Sequence, residues 1–164
     1  MDVQLERLAG GPDHRRALLW RFENPVRALS SASVGGGFSA PDWLLNIGVR
    51  HDYSRIDLDQ HAAEIAAMAG LAATGIAMFT AVDVGRAQVA RCDEAQVTAT
   101  VGVTRPTWAA DPAGGHGSWP PGTINLVAFI PVALTDAAMV QAVLAMTEAK
   151  TQALTEHGVP GTGT

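Results

Sequence analysis

Residues 30–37 read SSASVGGG, in which three serines run into Gly35, Gly36 and Gly37. Such a stretch can cradle an anion, present a serine nucleophile or turn the chain. It lacks the Lys-Ser or Lys-Thr ending of a phosphate-binding loop, and its spacing does not meet the dinucleotide pattern. A nucleophile elbow needs glycines two residues before and two after the serine, and none of Ser30, Ser31 and Ser33 has both. Two readings stay open: a wall of exposed N–H groups against a small molecule or oxyanion, and a plain strand exit.

The five histidines, His14, His51, His61, His116 and His157, show no metal-ligating spacing, so no metal site is expected and most should lie on the surface. His51, beside Asp52 and Tyr53 at a strand end, is the one placed for acid or base work. Trp108 and Trp119 fall in the Pro/Gly-rich stretch 106–122 and could frame a planar ligand, whereas Trp20 and Trp43 read as core. In the segment TEAKTQAL (147–154), Thr147 falls on the stripe of Val140, Val143, Leu144 and Leu154. Glu148 and Lys150 lie about 200 degrees apart around a helix, too far for a local ion pair. The bland alternative for this segment is a threonine bonded to its own backbone with two solvated charges.

These residues need a scaffold, and 164 residues with 48% hydrophobic and 16% charged content suit one compact domain with a substantial core. A net charge of -5 gives no broad surface for nucleic acid. No apolar run approaches a membrane span and MDVQLERLAGG lacks a secretory apolar core, so a cytoplasmic location is expected. The single cysteine, Cys92, excludes an internal disulfide.

Residues 17–23 and 26–33 flank Asn24 and Pro25, predicting a hairpin. Residues 43–50 alternate as a strand, with Trp43, Leu45, Ile47 and Val49 on one side. Leu58, Ala62, Ile65, Ala66 and Ala69 predict a helix, with Asp57 and Gln60 as a capping box and Gly70 as its stop. Residues 75–82, 94–103 and 123–132 read as strands, the second with Val97, Ala99, Val101 and Val103 inward. The connection 85–94 is a surface segment or a further short strand. A long helix runs from an N-cap at Thr135 to a stop at Gly158 and Pro160. The expected fold is a mixed α/β (α+β) single domain, with a mixed or largely antiparallel sheet covered by helices on at least one face.

Several stretches together resemble the adenosylcobinamide amidohydrolase (CbiZ) family. They are LSSASVGGG (29–37), NIGVRHDY (46–53) followed by Asp57, MFTAV (78–82), TVGVTRP (100–106), PGTINLV (121–127), TEAKTQAL (147–154) and GTGT (161–164), in the family's order across about residues 26–164. Asp57 is followed by Leu58 where many members have Asp-Pro. The resemblance stops at Thr164, whereas similar members continue past Thr-Gly-Thr, which leaves a missing terminal strand, a shortened chain or a divergent subtype open.

The resemblance implies hydrolysis of the amide between a corrin propionate and aminopropanol in adenosylcobinamide, giving adenosylcobyric acid for coenzyme B12 salvage. Cobalt then belongs to the substrate, no cofactor is expected, and the partner is a small corrinoid; a homo-oligomer is compatible with it. Amide hydrolysis needs an attacking oxygen, oxyanion donors and a proton for the leaving amine. The matching motifs offer Ser31 or Thr123 as hydroxyl, Asn125 with glycine-loop N–H groups as oxyanion donors, and Glu148 or Lys150 for proton transfer. Asn125 shares a strand face with Val127 and Phe129, so a purely structural bond fits it equally. Ser30, Gly35, Gly36, Gly37, Asn46, His51, Tyr53, Thr80 and Thr147 are the expected substrate contacts. Two other classes compete: a corrinoid-binding module without turnover, and an unrelated hydrolase or phosphate-binding domain with an anion site at the glycines.

Overall fold

The computed structural model describes residues 5–71, 74–111 and 122–163. The chain divides into two compact units, one ending at Arg86 and the other beginning at Ala87. The first unit holds β1 (Leu5–Leu8), β2 (Ala17–Arg21), β3 (Ala28–Ser30), β4 (Gly37–Ser39), β5 (Trp43–Gly48), α1 (Leu58–Met68) and β6 (Gly75–Thr80). The second holds β7 (Gln88–Cys92), β8 (Ala95–Gly102), β9 (Thr123–Phe129) and α2 (Asp136–Glu156). The architecture is α+β and largely antiparallel, as the sequence predicts.

In the first unit four strands form one sheet in the order β1-β2-β5-β6. β5 lies antiparallel to β2 and parallel to β6, pairing Trp43 with Gly75 and Gly48 with Thr80. Parallel neighbours require a crossover, and α1 provides it. Its Ala62, Ile65 and Ala66 pack with Leu19, Trp43, Leu45, Ile47 and Ala77 in one apolar cluster. Leu18, Trp20, Asn46 and Ile76, which point the other way, are also buried, so the central strands lose water on both faces. Fully burying each large aliphatic or aromatic side chain contributes about 1.5–3 kcal/mol, which explains why β5 carries so dense an apolar sequence.

The predicted hairpin between residues 17–23 and 26–33 does not form. β2 is taken by β1 and β5, while β3 pairs with β4 through Ala28 and Ser39, Leu29 and Phe38, and Ser30 and Gly37. SSASVGGG is the connection of that ribbon. Ser30 Oγ accepts from the Ala32 N–H at 3.0 Å, tightening the turn. Val34 then bridges to Ala77 on β6, whose edge would otherwise be open (Ala77 N to Val34 O 3.1 Å). Gly35 has φ +69°, and a methyl group on it would sit 2.3 Å from the Gly75 carbonyl oxygen. The glycines thus serve chain reversal and close approach.

The predicted capping box of α1 is also absent. Asp57 makes no side-chain cap bond; its carboxylate is held by Arg55 at 2.6 and 3.0 Å, and Gln60 donates to Glu64 at 3.1 Å. Arg55 reaches Glu64 as well, at 2.8 Å, so one guanidinium ties the helix entry to its second turn. Charge-assisted bonds outcompete the local cap geometry.

In the second unit β7, β8 and β9 form an antiparallel meander. Of the two readings for residues 85–94 the strand is the one formed, and Asp93 at φ 51° turns it back two residues later into β8. The inward set of β8 is the reverse of the prediction: Thr98 and Thr100 are buried at 3% and 2%, while Val101 is 52% exposed. Thr98 lies in a cross-strand row with Val89 and Val127, and Thr100 faces Asn125. Alternation defines two faces without saying which is covered, and threonine packs a pleated surface as well as valine. α2 begins as predicted, Thr135 Oγ1 accepting from Ala138 N at 3.2 Å. Its more sheltered stripe is Ala138, Ala142, Met146, Lys150 and Leu154, whereas Val140, Val143, Leu144 and Thr147 are exposed.

Gly35→Ala should lower stability by about 1–3 kcal/mol in chemical denaturation, because both left-handed backbone and overlap with Gly75 oppose it. Gly37→Ala, at φ +86° but with open space around it, should cost less. Equal denaturation midpoints for the two variants would contradict the close approach.

Candidate functional site

Two groups of side chains emerge, one in each unit. In the first unit the loops after the parallel strands β5 and β6 leave at the same end; Thr80 closes β6, Tyr53 follows β5 and packs on the α1 face, and Asn46 sits within β5 on the opposite face. Asn46 and Thr80 are buried, and Thr80 Oγ1 accepts from Val82 N at 3.1 Å. His51 is exposed in the turn after β5, between Arg50 and Asp52, which pair at 2.8 Å.

The histidines that matter for packing are others. His61 is 1% and His14 8% exposed, while His51 and His157 lie on the surface. His61 stacks on Tyr53 and Phe79, with ring centroids 5.5 and 5.7 Å away, and meets His14 edge-on at 6.3 Å. Its Nδ1 lies 2.7 Å from the Tyr53 hydroxyl, and its Nε2 is buried without a hydrogen-bond partner among the described residues. Burial pushes the pKa of both histidines below the usual 6.5, and pushes the Tyr53 phenol up. His61 sits at i+4 from Asp57, in the first turn of α1, one position before the buried Ala62. The helical period places it on the inner face, a signal overlooked when histidines are scanned only for metal spacing.

In the second unit a cavity of about 320 Å³ is lined by Thr107, Ala109, Gly122, Thr123, Ile124, Lys150, Thr162 and Gly163. The start of β9 supplies Thr123, and the sheltered stripe of α2 supplies Lys150, the sole lysine of the sequence. The third side is the chain end. Thr162 N and Gly163 N donate to Thr107 O at 2.8 and 3.1 Å, Thr107 N donates to Gly163 O at 3.0 Å, and Ala109 N donates to Thr162 Oγ1 at 2.9 Å. A methyl group on Gly161 would lie 2.8 Å from both Thr107 N and O, so the tail closes on Thr107 only with glycine there. Hydroxyls and one amine around a small void can bind a carbonyl oxygen and move a proton.

Of the sequence candidates, Thr123 and Lys150 meet at this cavity. Asn125 is half-buried two residues further along β9 and does not line it. Glu148 is exposed, and the Thr147 hydroxyl donates to Val143 O at 2.9 Å, the backbone bond weighed as its bland alternative. Ser31 is exposed on the β3–β4 connection, beside Ser30 and Gly35–Gly37, in the first unit. Trp108 is 55% exposed, and Trp119 and His116 lie outside the described residues. Among the described residues no group of three or more His, Cys, Asp or Glu side chains is arranged to hold a metal ion, and no helix is long and apolar enough to cross a membrane.

Fold and cavity define an α+β protein with a small polar pocket built from hydroxyls, glycine backbone and one lysine. The sequence pattern of the CbiZ adenosylcobinamide amidohydrolases matches residues 3–164, across both units, and the chain belongs to that family. A relative from Halobacterium salinarum (strain ATCC 700922 / JCM 11081 / NRC-1), named adenosylcobinamide amidohydrolase, is 35% identical over 140 residues. The match covers 80% of this chain and 61% of the relative, so the chain spans less than two thirds of that protein's length. No solved structure matches the chain.

The lowered histidine pKa values set a pH dependence. Below 6.5 the unfolded chain takes up protons that buried His14 and His61 refuse, so folding stability falls as pH drops through 6.5 toward the lowered folded values. Above about pH 7 these two groups contribute no slope. Denaturation midpoints measured from about pH 8 to about pH 5 should show that decline, and His61→Phe should flatten it. An unchanged slope in the variant would mean other groups carry the acid sensitivity.

Proposed function

We propose that this chain hydrolyses the amide linking a corrin propionate to aminopropanol in adenosylcobinamide, releasing adenosylcobyric acid and the amino alcohol. Family membership and the name of the 35%-identical relative support the reaction class. The observation that carries the reading to residues is convergence: PGTINLV, TEAKTQAL and GTGT, far apart in sequence, contribute Gly122, Thr123, Lys150, Thr162 and Gly163 to one cavity.

The chemistry assigns roles. Water, or the Thr123 hydroxyl in a two-step route, attacks the amide carbon, and the carbonyl oxygen gathers negative charge. Lys150 supplies a charged hydrogen bond to that oxygen. The C–N bond then breaks, and the amine leaves with a proton delivered from Lys150 or from water. Where Thr123 attacks, water releases the product carboxylate from the ester in a second step. The corrin, with its cobalt, is cargo in this scheme. Substrate contacts are assigned within each unit separately: Ser30, Gly35–Gly37, Asn46, His51, Tyr53 and Thr80 in the first, and Thr147 in the second. The site operates without a resident cofactor, on a small-molecule partner, in the cytoplasm.

The test is incubation of purified chain with adenosylcobinamide and detection of adenosylcobyric acid and aminopropanol by mass spectrometry. Lys150→Met should cut kcat by about 10²–10³, the usual loss on removing an oxyanion donor. Thr123→Val should abolish the two-step route, or raise KM alone if its hydroxyl only positions the amide. Corrinoid binding without product would instead select the binding-module reading.

A further inference from the structure

Among the described residues His61 Nε2 is a buried nitrogen with no hydrogen-bond partner, on a ring packed against those of Tyr53 and Phe79. Its other nitrogen is committed to the Tyr53 hydroxyl at 2.7 Å, so the two nitrogens are coupled through the tautomer. If the phenol donates to a bare Nδ1, then Nε2 carries a proton with no acceptor. If Nδ1 carries the proton and donates to the phenol oxygen, then Nε2 is a bare lone pair among rings. Orphaned buried N–H donors are the rarer class in folded proteins, and an unmet acceptor is better tolerated. Burial also lowers the His61 pKa, which keeps the ring neutral and makes the choice between tautomers a real one.

We infer that His61 is held as the Nδ1–H tautomer and acts as a positioning residue. It donates to the Tyr53 oxygen and thereby frees the phenol proton for an acceptor oxygen of a ligand at the carboxyl end of β5–β6. Three features fit this role. Tyr53 is half-buried, with its ring against both His61 and Phe79 at 5.5 and 5.9 Å, rings that also meet each other at 5.7 Å, so its hydroxyl has little freedom of aim. Its phenol pKa is raised by burial, which keeps the proton in place. The loop carrying it leaves a parallel strand pair at the end where ligands of such sheets bind. The ligand chemistry is a neutral amide carbonyl or a carboxylate, and the amide-rimmed corrin supplies the former; that identity rests on the function proposed above, whereas the tautomer does not.

Two measurements decide it. Long-range 1H–15N correlation on ring-labelled native protein near neutral pH should show His61 Nδ1 protonated and Nε2 bare; the opposite pattern overturns the inference whatever the protein binds. Titration with adenosylcobinamide, followed by visible absorbance, should show Tyr53→Phe weakening affinity roughly three- to tenfold, the range of one neutral hydrogen bond. His61→Asn, which keeps an N–H near the Nδ1 position, should stay within about twofold of native, while His61→Leu should match Tyr53→Phe and add nothing to it in the double variant. If both His61 variants lose thermal stability yet keep native affinity, His61 is a packing residue and the inference fails. A native chain that does not bind adenosylcobinamide would refute the functional reading, and the tautomer measurement would then decide the inference alone.

Discussion

The first unit depends on β5 being hydrogen-bonded along both edges, antiparallel to β2 and parallel to β6. A strand so placed has no solvated edge, and its side chains must be acceptable to two buried faces. Leu45 and Ile47 meet that demand on one face, and Asn46 is carried in on the other, where it has partners of its own. The parallel partner imposes the helical crossover, which brings His61 over Phe79 and the Tyr53 loop against both. A polar histidine is thus delivered to the rim of an apolar core by chain topology.

The second unit follows a different logic. Among the described residues of its three-stranded meander and one helix, Leu154 is the buried residue of α2, and the sheet buries Thr98 and Thr100. The cavity is closed by main-chain hydrogen bonds between the tail and Thr107. Such bonds are modest individually, but they fix direction, and direction is what a small polar pocket requires.

What was legible in the sequence divides along locality. α1 and α2, the Thr135 cap and the stops at Gly70 and Gly158 depend on neighbours within a few residues, and they stand as read. β2, β5, β6, β8 and β9 were also legible as strands, yet their partners were not. The Asn24–Pro25 turn suggested pairing between segments that instead join different sheets, because a distant strand, β5, offered β2 the larger apolar contact. The capping box at Asp57 failed for a similar reason, with Arg55 offering the carboxylate a charged donor. Motif order brought Thr123 and Lys150 forward together, while His61 stayed hidden because its importance comes from Tyr53 and Phe79, contacts that spacing within α1 cannot reveal.

Lys150 is the sole lysine in 164 residues, and its stem belongs to the sheltered stripe of α2. Side-chain amine chemistry in this chain therefore has one address, and that address is the cavity wall. A reagent that acylates or forms an imine with lysine would act as a gauge of how open the pocket is, since outside the chain's own amino terminus there is no competing amine to blur the reading.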